Sequence, residues 1–442
     1  MKQDLLHYIQ TAPLADTHEH QPSNAEFLSQ RLDILQLIGA NYLGADLVSA
    51  DPTLPAHQWG LDLGAPEVHP DHSGFEERYR RMEPALKRIR YTSYGRAKLE
   101  MGRKLWGIED FSLESLHIAQ AQLEKMYQNG QRMSLFREHA GLDHIQIDNA
   151  RLTFELDDED PEYCLHDIRV IGYVSGRLYQ SYDFTPEAME RIGVDIVDLS
   201  SLEASIVSLF EQYGPIAVAT KMPHAYERTL HWRKRSTPEA RASLERVLRD
   251  AADAAEEDRL CVGDWCTSRI IEQSIRHQLP IKIHTGYNAG NNQMRMDFIR
   301  PSLLNDLILE YPEARFVLMH IGYPYEKEII ALAKHFPNVW VDMCWAWSIS
   351  EVASVNFVRE FLNAVPYNKL FAFGGDIMDP FQVVGFAQQA RDGLNRALQA
   401  NIEAGYLDER GGLEIAEQVM LKNAYEVFDL EGTRENIRSA VS

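Results

Sequence analysis

The chain has 442 residues, 45% of them hydrophobic and 25% charged, with a formal net charge of −22. That length can bury a large core as one elaborated domain or two. The acidic balance excludes ordinary binding to nucleic acid or to an anionic membrane surface, which both demand basic patches, and leaves a small-molecule substrate open.

In chain order, Met1–Gln10 holds no long apolar run, and no stretch approaches the roughly 20 apolar residues of a membrane span. Four scattered cysteines (Cys164, Cys261, Cys266, Cys344) read as reduced thiols, so a cytoplasmic protein without a signal peptide is expected. The first predicted strand, Leu14–Thr17, runs into Asp16–Thr17–His18–Glu19–His20. Alternate strand residues share a side, so His18 and His20 can converge on one metal ion. Asp16 lies on the same face and can orient a ligand; Glu19 is expected to point the other way.

Residues 23–140 then break the rhythm. Helical patterns at Ala25–Ile38, Glu76–Arg90, Arg96–Leu105 and Leu113–Asn129 fill an interval too long for a simple crossover. They read as an insertion over the end of the molecule from which the first strand exits. Its locally basic run, from Arg78 to Arg96, reads chiefly as a solvated helix face.

Beyond it, predicted strands recur at His144–Ile147, Ile168–Tyr173, Ile216–Lys221, Ile281–His284, Phe316–His320, Val339–Met343 and Leu370–Phe373. Helical patterns lie between them at Leu202–Tyr213, Pro238–Glu257, Arg269–His277, Pro301–Tyr311, Tyr325–Phe336, Val352–Asn363 and Phe386–Ala400. Eight strands alternating with helices predict an α/β fold, a (β/α)8 TIM barrel in one domain spanning 1–442, with reactive groups at the C-terminal strand ends.

Polar residues sit at those ends: Lys221, His284, His320 and Asp376. With His18 and His20 they form a candidate divalent-metal centre, with Asp376 able to touch the ion and take a proton. His320 either ligates a second ion or stays free to polarise a carbonyl or move a proton. Lys221 carries a bridging carboxylate modification, acts as an ammonium beside the substrate, or snorkels to solvent. Weaker rim candidates are Tyr226, Arg228 and His231; Asn291, Asn292, Arg295 and Met296; and Trp345 and Trp347. Of these Arg228 and Arg295 are candidate carboxylate anchors, and Tyr226 and Trp345 candidate substrate contacts.

The ordered set Asp16-x-His18-x-His20, Lys221, His284, His320 and Asp376 resembles the amidohydrolase superfamily. The segments Val317–Tyr325, Phe336–Asp342 and Lys422–Phe428 resemble its amidohydrolase-2 (amidohydrolase-related) branch. That resemblance implies one or two divalent metals, commonly zinc, bound by His18, His20, Asp376 and His284. It implies hydrolysis of a small molecule by metal-activated water, with Asp376 shuttling the proton. The long interval after the first strand, with Tyr94–Arg96 and Leu105–Ile108, and the run Ile283–Met296 are similar to uronate isomerases, which interconvert aldose and ketose sugar acids. A metal-dependent hydrolase acting on an amide, ester or lactone is the primary expectation. An isomerase, a related decarboxylase and a non-enzymatic binder are the alternatives, and a homo-oligomer stays open.

Overall fold

The computed structural model describes residues 4–39, 41–54, 56–57, 60–61, 74–149, 151–181, 184–290 and 294–441. Its strands are β1 (Leu14–Glu19), β2 (Ala56–His57), β3 (Gly60–Leu61), β4 (Leu142–Ile147), β5 (Cys164–His166), β6 (Ile168–Arg169), β7 (Thr220–Met222), β8 (Ile281–Ile283), β9 (Phe316–Leu318), β10 (Val339–Asp342) and β11 (Leu370–Phe371). Apart from the antiparallel pair β2–β3, they form two parallel sheets, ordered β1-β4-β5 and β6-β7-β8-β9-β10-β11.

Backbone hydrogen bonds join the two sheets on both sides. Where β5 passes into β6 through Asp167, Val218 N donates to His166 O (2.9 Å) and Ile168 N to Ala219 O (2.8 Å). Opposite, Thr17 N donates to Phe373 O (3.1 Å) and Asp376 N to His18 O (2.9 Å). These bonds carry the β1 histidines to the chain segment that ends in Asp376.

The strands of the two parallel sheets are buried, with only Asp143, Arg169 and Trp340 half-buried among their residues, as parallel strands covered on both faces must be. At their N-terminal ends the helices Asn423–Phe428 and Leu430–Val441 supply an apolar plug with Ala15, Leu165, Val317 and Phe371. Polar side chains gather at the opposite, C-terminal ends.

The predicted helical and strand pattern is recovered with shifts. Ile168–Tyr173 is strand only to Arg169, and Ile171–Ser175 is helical. Ile216–Lys221 contributes only its end, within Thr220–Met222, because Tyr213–Ile216 is still a turn closing the preceding helix. The expected helix Pro238–Glu257 stops at Arg249, with Asp250 extended (ψ 88°), and a new helix runs Glu256–Arg276. Ala25–Ile38 is split into Asn24–Ser29 and Ile34–Gly39, because Gln30 is extended. Further helices between β1 and β4 span Asn41–Ala50, Phe75–Ile89, Ser93–Trp106 and Leu113–Leu123. Arg80, Arg81, Arg88 and Arg90 are exposed, as a solvated face requires, while Arg78 is half-buried against Asp33. The four cysteines are free and buried. Among the described residues no helix is long and apolar enough to cross a membrane.

Candidate metal centre

β1 delivers both histidines to one acceptor. His18 Nε2 lies 3.2 Å and His20 Nε2 3.1 Å from the same oxygen, Asp376 Oδ1. His20 is oriented by Nδ1, which lies 2.7 Å from Asp148 O. His18 is fully buried, while His20 keeps 21% of its side chain exposed and so faces the way in. Asp16 acts on the backbone rather than on an imidazole: its Oδ1 accepts from His18 N (3.2 Å) and Gly375 N (3.3 Å). Burial pushes Asp16 up to about 7 and Glu19 well above its usual range, and the two carboxyls share a hydrogen bond. Glu19 also accepts from Ile377 N at 2.9 Å. It packs so closely that a Cβ on Gly375 would meet Oε1 at 2.0 Å. Hydrogen bonds from Gly375 N to Asp16 and from Ile377 N to Glu19 thus tie β1 to the Asp376 segment.

Backbone conformation concentrates at this point. His320 (φ 63°), Ile321 (49°), Trp345 (58°) and Asp376 (56°) all adopt the left-handed region. Non-glycine residues rarely do so, and such strain clusters at functional sites.

Electrostatics separate the groups. Burial raises Asp376, but hydrogen bonds with His18 and His20 outweigh it, and the carboxyl stays well below its usual range. Burial lowers His18, His284 and His320, the last to about 3, so these imidazoles are neutral at pH 7 and free to act as ligands. His284 packs with tilted rings against His320 (centroids 4.3 Å) and Tyr226 (4.6 Å), and its Nε2 lies 3.1 Å from Tyr287 O. Lys221 Nζ is 3.0 Å from His18 Nε2 and 3.0 Å from Met319 Sδ, and burial lowers its pKa. Snorkelling to solvent is therefore not its conformation.

The structure separates the remaining candidates. Trp345 is buried at the site, stacked on Tyr42 (4.6 Å) and edge-on to His320 (5.4 Å). Tyr226 is also there, its hydroxyl accepting from Ala289 N (3.1 Å). Arg228 is turned inward: it donates to Val174 O, Thr229 O and His231 O and pairs with Asp264 at 2.6 Å, holding its own loop together. Arg295 is 59% exposed, pairs with Asp297 and stacks on Phe298. Trp347 donates to Ala372 O (2.9 Å) within the core, and Met296 is exposed. Asn291 and Asn292 lie outside the described residues.

Four residues not singled out from sequence belong to the neighbourhood. Asp148 follows β4, pairs with Arg169 at the end of β6, and sits 3.9 Å from His20 Nδ1. Both occupy strand exits, the position that marked the other candidates. Tyr42 comes from the helix Asn41–Ala50, and its hydroxyl donates to Asp376 O. Cys344 follows β10 and falls in a group with His320 and Asp376 whose ligand atoms lie within 4.8 Å of one another; His18, His20 and Asp148 form a second such group.

The His18–His20–Asp376 donor set suits a divalent ion. Two imidazole nitrogens and a carboxylate oxygen are the usual ligands of zinc, and each nitrogen here lies 3.1–3.2 Å from the carboxylate oxygen.

Residues 216–430 match the amidohydrolase family. The resemblance carried by the motifs is borne out. A curated relative is the protein fluG of Emericella nidulans, 29% identical over 154 residues, which cover 34% of this chain and 17% of that protein. The matched segment is thus a small part of that relative. Similar solved structures include a uronate isomerase from Thermotoga maritima (14% identity, 96% of each chain, TM-score 0.76). Another is a proposed metal-dependent hydrolase from Lactobacillus casei (15% identity, 98% of this chain and 99% of that chain, TM-score 0.66). At such identities these likenesses concern the fold.

Proposed function

We propose that the protein is a metal-dependent hydrolase acting on an amide, ester or lactone of a small polar or carboxylated substrate. The convergence of His18 and His20 on Asp376 Oδ1 carries this reading. In it the strands close into a (β/α)8 barrel within a single domain, and residues 23–140 cover its mouth. His18, His20 and Asp376 hold a divalent ion, zinc in the first instance, with His284 beside them. Such an ion supplies Lewis acidity to a substrate oxygen and acidifies water.

The chain's own groups do the rest. Asp376 can take a proton from attacking water through Oδ2, and Lys221 Nζ, 3.0 Å from His18 Nε2, is placed to hold or move one. Neutral His320, its Nδ1 proton held by Cys344 O, can accept a proton at Nε2, and Tyr226 and Trp345 wall the space beside it. The carboxylate anchor moves in this reading from Arg228 and Arg295 to Arg169. Asp148 joins Arg169 to His20, and guanidinium–carboxylate pairing is the natural recognition of a substrate acid.

A second reading, aldose–ketose isomerisation of a sugar acid, draws on the whole-chain likeness to a uronate isomerase. One experiment separates the two. Zinc- or manganese-loaded protein is given lactones, esters and amides of small acids in one panel and uronic acids in another. Acid release in the first panel, lost in Asp376→Asn, supports the hydrolase. Ketose formation in the second, with no turnover in the first, overturns it in favour of the isomerase.

A further inference from the structure

Two chains of contacts lead away from Asp376. One runs from His20 through Asp148 to Arg169. The other starts at Tyr42, whose hydroxyl donates to Asp376 O and whose ring stacks on Trp345 at 4.6 Å and on Tyr94 at 5.4 Å. Tyr94 is only 8% exposed, and its hydroxyl is buried with no hydrogen-bond partner among the described residues. A buried tyrosine hydroxyl normally finds one. Asp46 stands four residues after Tyr42, on the same face of the helix Asn41–Ala50. Burial raises Asp46, and a hydrogen bond with Thr92, the cap two residues before Tyr94, lowers it. Its Oδ2 is buried and, among the described residues, also without a partner. The charges here have one sign. Burial raises Tyr94 well above its usual range, and Tyr287, Asp46, Tyr226 and Asp376 push it the same way. Tyr287, 5.9 Å from Trp345, is raised by burial and then by Asp46.

We propose that Tyr94 Oη and Asp46 Oδ2 form a subsite for a protonated amine of the substrate, beside the Tyr42–Trp345 ring stack. An unpaired carboxylate oxygen among aromatic rings, in a region of negative charge, favours a cation over an anion. A hydroxyl brings one donor and no charge. An ammonium brings three donors and the opposite charge, so it can meet Asp46 Oδ2 and the Tyr94 oxygen together. Both residues come from the segment between β1 and β4, so that segment selects the substrate while the strand ends hold the reacting groups. The inference rests on the functional reading above for the carboxylate at Arg169. Together the two narrow the substrate to a small amide, ester or lactone that also carries a carboxylate and an ammonium group.

The test is calorimetric binding of unreactive probes to the zinc-loaded full chain. The probes are a length series of straight-chain ω-amino acids beginning at β-alanine, with the ω-hydroxy acid and the plain acid of each length. At the best length the amino acid should bind about ten-fold tighter than the plain acid, the worth of one charge-assisted hydrogen bond. Asp46→Asn and Tyr94→Phe should each shrink that preference and leave the affinity for plain acids unchanged, which a merely structural role would not do. Equal binding of amino and plain acids overturns the subsite, and equal binding of amino and hydroxy acids overturns its choice of a cation. A preference that survives in both folded variants removes it from these residues and overturns it too. No binding of any acid overturns the subsite together with the Arg169 anchor. The hydrolase reading stands or falls separately, on acid release from the lactones, esters and amides. The wild-type comparison decides the matter even where a variant fails to fold.

Discussion

Lys221 and Lys282 are register partners on the adjacent parallel strands β7 and β8, and both are buried. Their surroundings differ. Lys282 Nζ makes two bonds to Asp167, at 2.8 and 2.9 Å, and lies 5.2 Å over the Phe428 ring of the plug. Lys221 Nζ meets a histidine nitrogen and a thioether sulfur, and burial drives its pKa down. A buried ammonium with its own carboxylate is a structural tie; a buried amine without one is reserved for chemistry or for a ligand. The contrast is what the chemical role proposed for Lys221 predicts.

The largest effect that sharpens this contrast is on turnover. Lys221→Met should fold with a stability within about 1 kcal/mol of wild type, since it replaces a costly buried amine by an apolar chain of similar length. Its turnover should fall by roughly 10²–10⁴, the usual worth of a positioned proton-transfer group. Steady-state rates and urea unfolding on one preparation check both halves, and unchanged rates would erase the difference between the two lysines. Lys282→Met should do the reverse. Stranding Asp167 should cost about 3–5 kcal/mol of stability, with partial recovery in Lys282→Met/Asp167→Leu, read from denaturant midpoints.

His166 extends the same logic to pH. Both its ring nitrogens are buried without hydrogen-bond partners among the described residues, and burial lowers it to about 4. The unfolded chain therefore binds this proton first as pH falls. Stability is fully present above the ordinary histidine value and is lost as pH falls from about 6.5 towards 4, at about 1.4 kcal/mol per pH unit for this group. His166→Leu should flatten that slope in chemical unfolding followed across pH. The smallest effect is expected at Tyr42, which reaches the Asp376 carbonyl from the long segment after β1. Tyr42→Phe removes one hydrogen bond worth about 1 kcal/mol. It should lower kcat/KM several-fold while metal content stays constant.

Much of this site is legible in the sequence because buried parallel strands read as apolar runs, and a polar residue at the exit of such a run stands out. His18, His20, Lys221, His284, His320 and Asp376 all carry that mark. Asp148 and Arg169 carry it too, directly after Ile147 and Ile168, and a stricter reading of the same rule finds them. Lys282 has a different cause. It sits inside Ile281–Ile283, where strand alternation alone cannot tell a charge facing solvent from one paired across the interior. Tyr42 and Cys344 depend on tertiary placement: one arrives from a helix some hundred residues before β4, the other by a left-handed turn at Trp345. Arg228 shows the opposite case, a rim arginine by sequence whose guanidinium is turned onto Asp264 and three carbonyls.

The most direct test of the account is zinc content after dialysis, compared between wild type and Asp376→Ala, with circular dichroism to show that both are folded. Asp376 is the residue on which the histidines converge, so the account predicts bound zinc in the wild type and its loss in the variant. Equal zinc in the two folded proteins would contradict it.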